Sequence, residues 1–276
     1  MKHLFCCIAA FLLLTSLPGC NAQGSHNTTQ SDTVTLSSRA LADSLQFALK
    51  SGGHCRMSVI ANITFPEKFG TNTETLQRLF AQMVLEASDS LNFNDALDTY
   101  AARVLNYDGE GINEPNSDFN DPSSNNIKID YNRQITIYPV FNRLGIISFC
   151  KDDIVTKNGT KTLREHTYYN FDLKDMAPID INSIFTDDGI LEITGLMRAE
   201  LLAMNNVQNE DELRDIGYYN LDNLTPTNNF YISEKGITWS YKPNDLAIMR
   251  IGEPKIFISL DLLKPFLTEN SPLNHL

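Results

Sequence analysis

Residues 55–65 read CRMSVIANITF, and their alternation of apolar and polar side chains decides the class of the fold. Successive side chains of an extended strand point to opposite faces, so this pattern predicts a strand with one buried face. The buried face is predicted to carry Cys55, Met57, Val59, Ala61, Ile63 and Phe65. A strand with one solvated face is typical of an antiparallel sheet that is covered on one side.

The chain after this strand changes to a helical period. Thr71–Glu74 matches a capping box, and residues 76–87 and 93–105 each place their apolar side chains on one helical face. Further strands are predicted at residues 127–131, 135–141, 146–152 and 165–173. Because helices and strands come in separate runs, the sequence indicates an α+β fold. We expect two small mixed domains, each an antiparallel sheet with helices packed on one side.

The C-terminal part of the sequence contains a helix signal and a hairpin signal. Residues 189–204 show a helical pattern, and Glu234-Lys235-Gly236 separates two short apolar runs, with glycine at the left-handed position of the turn. We expect one domain over residues 34–160, a second over residues 161–268, and a tail over residues 269–276.

The charge of the chain narrows the choice of partners. The 276 residues include 22 Lys and Arg against 34 Asp and Glu, a formal net charge of −12. Neutralising nucleic-acid phosphates requires a basic surface, so this balance argues against a nucleic-acid partner. An acidic surface is compatible with a basic protein partner.

The N-terminus is predicted to be a lipoprotein signal. A short basic start precedes an apolar run over residues 4–14, which is too short for a permanent membrane span. Leu17-Pro18-Gly19-Cys20 resembles the bacterial lipobox, so residues 1–19 are predicted to be removed and Cys20 to carry lipid. Removal of one lysine gives a mature charge of 21 − 34 = −13. We expect a tether over residues 20–33 and a protein anchored by lipid to the periplasmic face of the outer or inner membrane, with the cell surface as the alternative.

Two cysteines, Cys55 and Cys150, remain after the signal and Cys20 are set aside. An even pair in an exported protein favours a disulfide between them. The alternative is two separately buried free thiols.

The sequence contains none of the common catalytic motifs. It has no nucleophile elbow, no phosphate-binding loop and no HExxH helix. His54 beside Cys55, together with His166, is only a weak metal-site kernel, because no carboxylate lies at ligand spacing. The acidic pairs 152–153 and 187–188 are interpreted as residues of turns and helix starts. The sequence therefore predicts no catalytic residue, no metal site and no cofactor.

Residues 229–247 read NFYISEKGITWSYKPNDLA. This stretch, with Gly252 and residues 256–263, resembles the C-terminal domain of the RsiV-like family. Upstream, LGIIS at residues 144–148 and YNFDL at residues 169–173 resemble the PdaC-type partner domain and its junction. The resemblance spans most of residues 40–268, and it departs from the family where Asn244 replaces the usual tyrosine.

The resemblance implies an extracytoplasmic protein of two α+β domains without catalytic residues. In that family the domain pair occurs on a lysozyme-sensing anti-sigma factor, beside a peptidoglycan deacetylase domain, and on stand-alone lipoproteins. We therefore expect a non-enzymatic cell-envelope module that recognises a protein, such as a lysozyme-like muramidase, or a cell-wall glycan. The alternative is a hydrolase or deacetylase-accessory protein that uses unidentified Asp or Glu residues.

A partner is expected to contact the segment that follows the predicted strand 237–241. Proline cannot donate a ladder hydrogen bond, so Pro243 ends this strand and begins an irregular loop. The candidate partner-binding residues on this loop are Tyr241, Pro243, Asn244, Asp245 and Met249. The alternative is that Tyr241 packs inward and Pro243 only terminates the strand.

Overall fold

The computed structural model describes residues 33–48, 53–111 and 128–276. The predicted signal peptide, the lipidation residue Cys20 and nearly all of the predicted tether lie outside these described residues. Within the described part, no helix is long and apolar enough to cross a membrane.

The larger sheet has six strands in the order of the sequence. They are β1 (Thr35–Ala48), β2 (His54–Lys68), β3 (Lys128–Arg143), β4 (Ile146–Lys157), β5 (Thr160–Asp172) and β6 (Ala177–Pro178). The strand predicted from the opening alternation is confirmed as β2, whose odd-numbered residues are buried from Cys55 to Ile63.

One pairing in this sheet differs from the antiparallel arrangement that the sequence predicts. β2 and β3 run parallel, with His54 opposite Lys128, while all other neighbouring strands are antiparallel. A parallel pair requires a long crossover, and the helical segment between these two strands supplies one. Among the described residues, β2, the helices that follow it and β3 therefore form a βαβ unit.

The helices of this crossover cover one face of the sheet. They are α1 (Thr73–Met83), α2 (Phe93–Asp98) and α3 (Tyr100–Gly111). Phe80 of α1 packs edge-on against Phe149 of β4, with ring centroids 4.9 Å apart, and both rings are fully buried. Removing such rings from water supplies the main stabilisation of this first core.

A second core forms around a smaller antiparallel sheet near the C-terminus. Its elements are α4 (Ile181–Ile184), α5 (Asp187–Asn205), α6 (Glu210–Ile216), β7 (Phe230–Ser233), β8 (Gly236–Ser240), β9 (Lys255–Ser259) and α7 (Leu260–Leu263). Trp239 lies fully buried near Phe230 and Phe185. The predicted helix 189–204 and the predicted hairpin at Gly236 are both confirmed, and the fold class is α+β.

The change from one core to the other does not fall at residue 160. Phe171 and Leu173 belong to the first core, whereas Ile179 and Ile181 belong to the second. β5 begins at Thr160 and belongs to the larger sheet, so that sheet extends beyond the predicted boundary. The division into two domains itself stays a prediction.

The predicted disulfide is wrong, because Cys55 and Cys150 are both buried free thiols. Cys55 lies opposite Ile129 on β3, and Cys150 lies opposite Tyr138 on the same strand. These two positions are 138 − 129 = 9 residues apart, about 30 Å along a strand. A disulfide needs Cα atoms within about 7 Å, so the register excludes this bond.

Side chains from the C-terminal part bind the outer edge of β5. β6 pairs only with Phe171 and Asp172, which leaves the preceding residues of β5 without a strand partner on that edge. The Asn229 Oδ1 atom accepts from the Tyr168 N–H at 2.9 Å, and its Nδ2 donates to the His166 carbonyl at 3.0 Å. A single side chain therefore satisfies two backbone groups that a neighbouring strand would otherwise bind.

Candidate functional site

A pocket of about 390 Å³ lies between the first half of β5 and the segment that joins β8 to β9. β5 contributes Lys161, Arg164 and His166, and the opposite wall includes Met249, Glu253 and Lys255. The even-numbered residues of β5 share one face of the larger sheet, since side chains alternate along a strand. The pocket therefore combines polar groups from two parts of the chain that are distant in sequence.

His166 is held between two carboxylates inside this pocket. The Glu253 Oε1 atom accepts from the backbone N–H of His166 at 2.6 Å, and its Oε2 atom contacts the ring Nδ1. On the other side of the ring, Nε2 lies 3.5 Å from Asp152 Oδ1. The side chains of His166, Asp152 and Glu253 are only 14%, 14% and 9% exposed. Both ring nitrogens therefore face a carboxylate.

Two cations of the pocket are fixed by neighbouring side chains. Arg164 donates from Nε and Nη2 to the two oxygens of Asp152, at 3.0 and 2.9 Å, and this contact raises the pKa of the guanidinium. Lys255 Nζ donates to the Tyr168 hydroxyl at 2.9 Å. Burial raises the pKa of Tyr168, so this group remains a neutral phenol.

Cys150 lies beneath this site and is not a candidate nucleophile. It faces Tyr138 and Tyr168 across the neighbouring strands and is fully buried. Burial raises the pKa of the thiol, which keeps it protonated.

The structure places the five residues predicted to bind a partner in three different environments. Pro243 and Met249 line the pocket, whereas Tyr241 is only 4% exposed and its hydroxyl donates to the Thr225 carbonyl at 2.6 Å. Tyr241 therefore packs inward, which is the alternative that the sequence left open. Asn244 and Asp245 are exposed, with Asn244 in a left-handed conformation (φ 70°).

The turn that follows Tyr241 is fixed by local hydrogen bonds. The Asn244 carbonyl accepts from the Tyr219 hydroxyl, and Asp245 Oδ2 accepts from the Lys242 N–H at 3.1 Å. These contacts hold the loop in one conformation next to the pocket.

The sequence interpretation considers His166 only beside His54 and Cys55, and it does not bring His166, Asp152 and Glu253 together. The sequence pattern indicates a turn residue at Asp152, but Asp152 lies within β4, directly opposite His166 on β5. The Asn158-Gly159 turn gives only a partial signal for this pair. Equal distances from the turn would place Asp152 opposite Glu165, but the register shifts by one residue between Val155 and Thr156, so Asp152 faces His166. Glu253 carries no comparable signal, since it lies 87 positions from His166 in the sequence.

The other positions weighed for chemistry are explained by the fold. Residues 187–188 begin α5, as predicted, and His54 starts β2, three strands away from β5. Among residues 33–48, 53–111 and 128–276, no group of three His, Cys, Asp or Glu side chains is placed to hold a metal ion.

Comparison with known families gives one match. Residues 182–261 match the model of a protein of unknown function (DUF3298). The match begins in α4 and ends in α7, so it includes Glu253 and Lys255 of the pocket but not the residues from β5. The resemblance to the RsiV-like family stays a prediction, because the matching model is the DUF3298 one. None of the curated proteins matches the chain.

Two solved structures share the fold. A DUF3298 family member from Bacteroides fragilis superposes with a TM-score of 0.63 at 19% identity, over 87% of this chain and 96% of that one. A DUF3298 family protein from Pseudomonas aeruginosa gives a TM-score of 0.51 at 12% identity, over 86% of this chain and 96% of that one. Similarity at these identities establishes the architecture, and function has to be argued from the site.

Proposed function

We propose that the protein is a non-enzymatic binding module of the bacterial cell envelope that takes a saccharide unit of a cell-wall glycan into the pocket beside β5. The observation that carries this proposal is the convergence of fixed polar groups and apolar side chains on one cavity. Its volume of about 390 Å³ falls within the range of about 300–1,000 Å³ usual for small-ligand sites.

The composition of the pocket wall supports a saccharide ligand. Leu163, Pro243 and Met249 supply apolar surface, and Thr162, Arg164 and Lys255 supply polar groups beside it. A sugar ring has apolar C–H faces and a polar rim of hydroxyl groups, so it needs both kinds of surface. Because Arg164 and Lys255 are already held in place, binding costs little side-chain entropy.

The position of the carboxylates supports binding rather than hydrolysis. A glycoside hydrolase needs two carboxyl groups on opposite sides of the bond that it cleaves. In this pocket the His166 ring stands between Asp152 and Glu253 and contacts both, and Asp152 also binds Arg164. Both carboxylates are therefore engaged in holding the site together, which favours recognition over the hydrolase alternative.

Blocking the pocket is the direct test of this proposal. Full-length protein in mild detergent is sedimented with purified peptidoglycan, and the bound fraction is measured for the wild type and for Thr162→Trp. Thr162 is exposed and lines the pocket, so tryptophan there fills the opening without entering the core. We expect binding to fall about tenfold, the effect of losing about 1.4 kcal/mol of contact free energy.

Gln134→Trp is the matched control, since Gln134 is an exposed residue on β3 outside the pocket lining. This variant should bind like the wild type. Peptidoglycan that fails to retain the wild-type protein, or that retains Thr162→Trp equally well, contradicts the proposal.

A basic protein is the second candidate partner, and the net charge of −12 supports it. Asp245 is exposed outside the pocket lining, Met249 is exposed within it, and both could contribute to such a contact. A C-type lysozyme is titrated in parallel at low and at physiological salt, because screening weakens contacts that depend on surface charge. Retention of lysozyme without retention of peptidoglycan would replace the glycan proposal with this one.

The proposed location depends on Cys20. If the Cys20 thiol carries the lipid, Cys20→Ala is expected to leave the chain unprocessed or to move it from the membrane fraction to the soluble fraction. Labelling with a radioactive fatty acid, followed by fractionation, measures both effects. Cys55→Ala is the control, because Cys55 is buried in the fold and should leave labelling unchanged. Unlabelled wild-type protein in the soluble fraction contradicts the anchoring.

A further inference from the structure

We propose that the pocket beside β5 selects saccharides that carry a carboxylate, and that Lys161, Arg164 and Lys255 bind this anionic group. The inference rests on the proposed function and deepens it, since it names the chemical class of the glycan unit. It is carried by three features of the pocket: its local charge, its unused hydrogen-bond donors and the way its cations are held.

The local charge of the pocket is opposite to that of the chain. Its lining contains three basic side chains, Lys161, Arg164 and Lys255, and one acidic side chain, Glu253. Asp152 adds a second carboxylate through its contacts with Arg164 and His166, so the Lys, Arg, Asp and Glu side chains give a balance of 3 − 2 = +1. On a chain of net charge −12, this surplus is a local feature that favours an anion.

The cations have donors left over for a ligand. Arg164 uses Nε and Nη2 on Asp152, which leaves both hydrogens of Nη1 without a partner among the described residues. Lys255 donates one of its three hydrogens to Tyr168, and Lys161 has no partner within the described part of the chain. Charge-assisted hydrogen bonds of this kind are roughly twice as strong as neutral ones.

Arg164 and Lys255 are each held by a buried or nearly buried partner, which is typical of a ligand site rather than of solvated surface cations. Asp152 fixes the guanidinium of Arg164 from behind with two hydrogen bonds, and its own side chain is only 14% exposed. Tyr168 is a buried residue that holds Lys255 from the other side of the pocket. A carboxylate that enters here meets charges already in position, which is the condition for selective binding.

A pair of related sugars tests the role of the carboxylate. N-acetylmuramic acid is N-acetylglucosamine with an added lactyl ether that ends in a carboxylate. The dissociation constant of each sugar is measured by titration calorimetry on the full-length protein in mild detergent. We expect N-acetylmuramic acid to bind about tenfold more tightly, which corresponds to one charge-assisted contact. Equal affinities, or no measurable binding of either sugar, overturn this inference.

Variants and a second anion identify the groups responsible. Two substitutions remove a pocket charge: Lys161→Gln, at an exposed position, and Lys255→Met, whose side chain is similar in length. Each should reduce the preference for the acidic sugar by at least about threefold. Lys68→Gln, on β2, is the control and should leave the preference unchanged. A preference that survives both pocket substitutions overturns the assignment. The assignment is also overturned if inorganic phosphate binds the pocket with the same affinity as N-acetylmuramic acid, because the site would then recognise an anion without a sugar.

The failure of this inference can be told apart from the failure of the proposed function. Equal affinity for the two sugars removes the selection for a carboxylate, while sedimentation with peptidoglycan and its loss in Thr162→Trp would still support glycan binding. If peptidoglycan does not retain the wild-type protein, both proposals fail.

Discussion

Replacing Gly236 with alanine is expected to destabilise the protein by more than about 4 kcal/mol, the range of the most severe single substitutions. Gly236 has φ +152° and begins β8, in the turn that follows β7. A Cβ atom on this residue would lie 2.1 Å from the Ile258 carbonyl oxygen and 2.9 Å from the Ser259 Cα. Both atoms belong to the backbone of β9, so no side-chain rotation can relieve the contact.

The damage should extend to the whole second core. β8 lies between β7 and β9, and its residues from Gly236 to Ser240 are all buried. Moving β9 away from Gly236 would weaken the pairing that holds Trp239 opposite Ile256. Unfolding is followed by urea titration with far-ultraviolet circular dichroism, and by thermal melting, where we expect a fall of at least about 8 °C.

Gly159→Ala is the matched control for this experiment. Gly159 occupies the turn between β4 and β5 with φ +79°, but nothing lies within 4 Å of the position of an added Cβ. Only the cost of the left-handed conformation remains, about 1–2 kcal/mol. If the two glycine substitutions cost the same, the close approach between Gly236 and β9 does not limit stability.

Asn229→Ala is expected to have the second-largest effect, a loss of about 3 kcal/mol. The Asn229 side chain makes three hydrogen bonds to backbone groups, because its Nδ2 also donates to the Ser240 carbonyl at 2.9 Å. Each lost bond costs about 1 kcal/mol, and more where the partner is left buried and unpaired. Because Asn229 is half-buried, water has limited access to the three backbone groups that the substitution leaves unpaired.

Hydrogen exchange gives a local readout for this substitution. The Tyr168 amide donates to Asn229 in the wild type. Its hydrogen should therefore exchange faster in Asn229→Ala, because the substitution removes the acceptor that protects it. Asn62→Ala is the control, since Asn62 is an exposed residue on β2 and its loss should change stability by less than about 0.5 kcal/mol. Unchanged exchange at Tyr168 would show that β5 does not depend on Asn229 at its edge.

Local pattern was sufficient to predict the elements that depend on local physics. The alternation at residues 55–65 predicts β2, the apolar period at residues 189–204 predicts α5, and the Gly at position 236 predicts the hairpin. Each of these signals lies within a few residues of the element that it specifies. The α+β class follows from their order along the chain.

Features that depend on contacts between distant parts of the sequence could not be predicted. The parallel register of β2 and β3 and the distance between Cys55 and Cys150 both depend on how strands align across the sheet. The pocket has the same origin, since Glu253 meets His166 only after the second core has packed against β5. Tyr241 is hidden for a similar reason, because its hydroxyl reaches Thr225 on another segment of the chain.

The binding of the β5 edge by later side chains has a consequence for the order of synthesis. Asn229 follows Tyr168 by 61 positions, and Glu253 follows His166 by 87. At about 5–20 residues per second, a growing chain needs about 4–17 seconds to pass from His166 to Glu253. Once β6 has been made at residues 177–178, the larger sheet has all its strands but keeps an open edge, which is a template for pairing with other chains. A chain that stops before Asn229 keeps this edge exposed, so aggregation rather than simple loss of binding is the expected fate of such fragments.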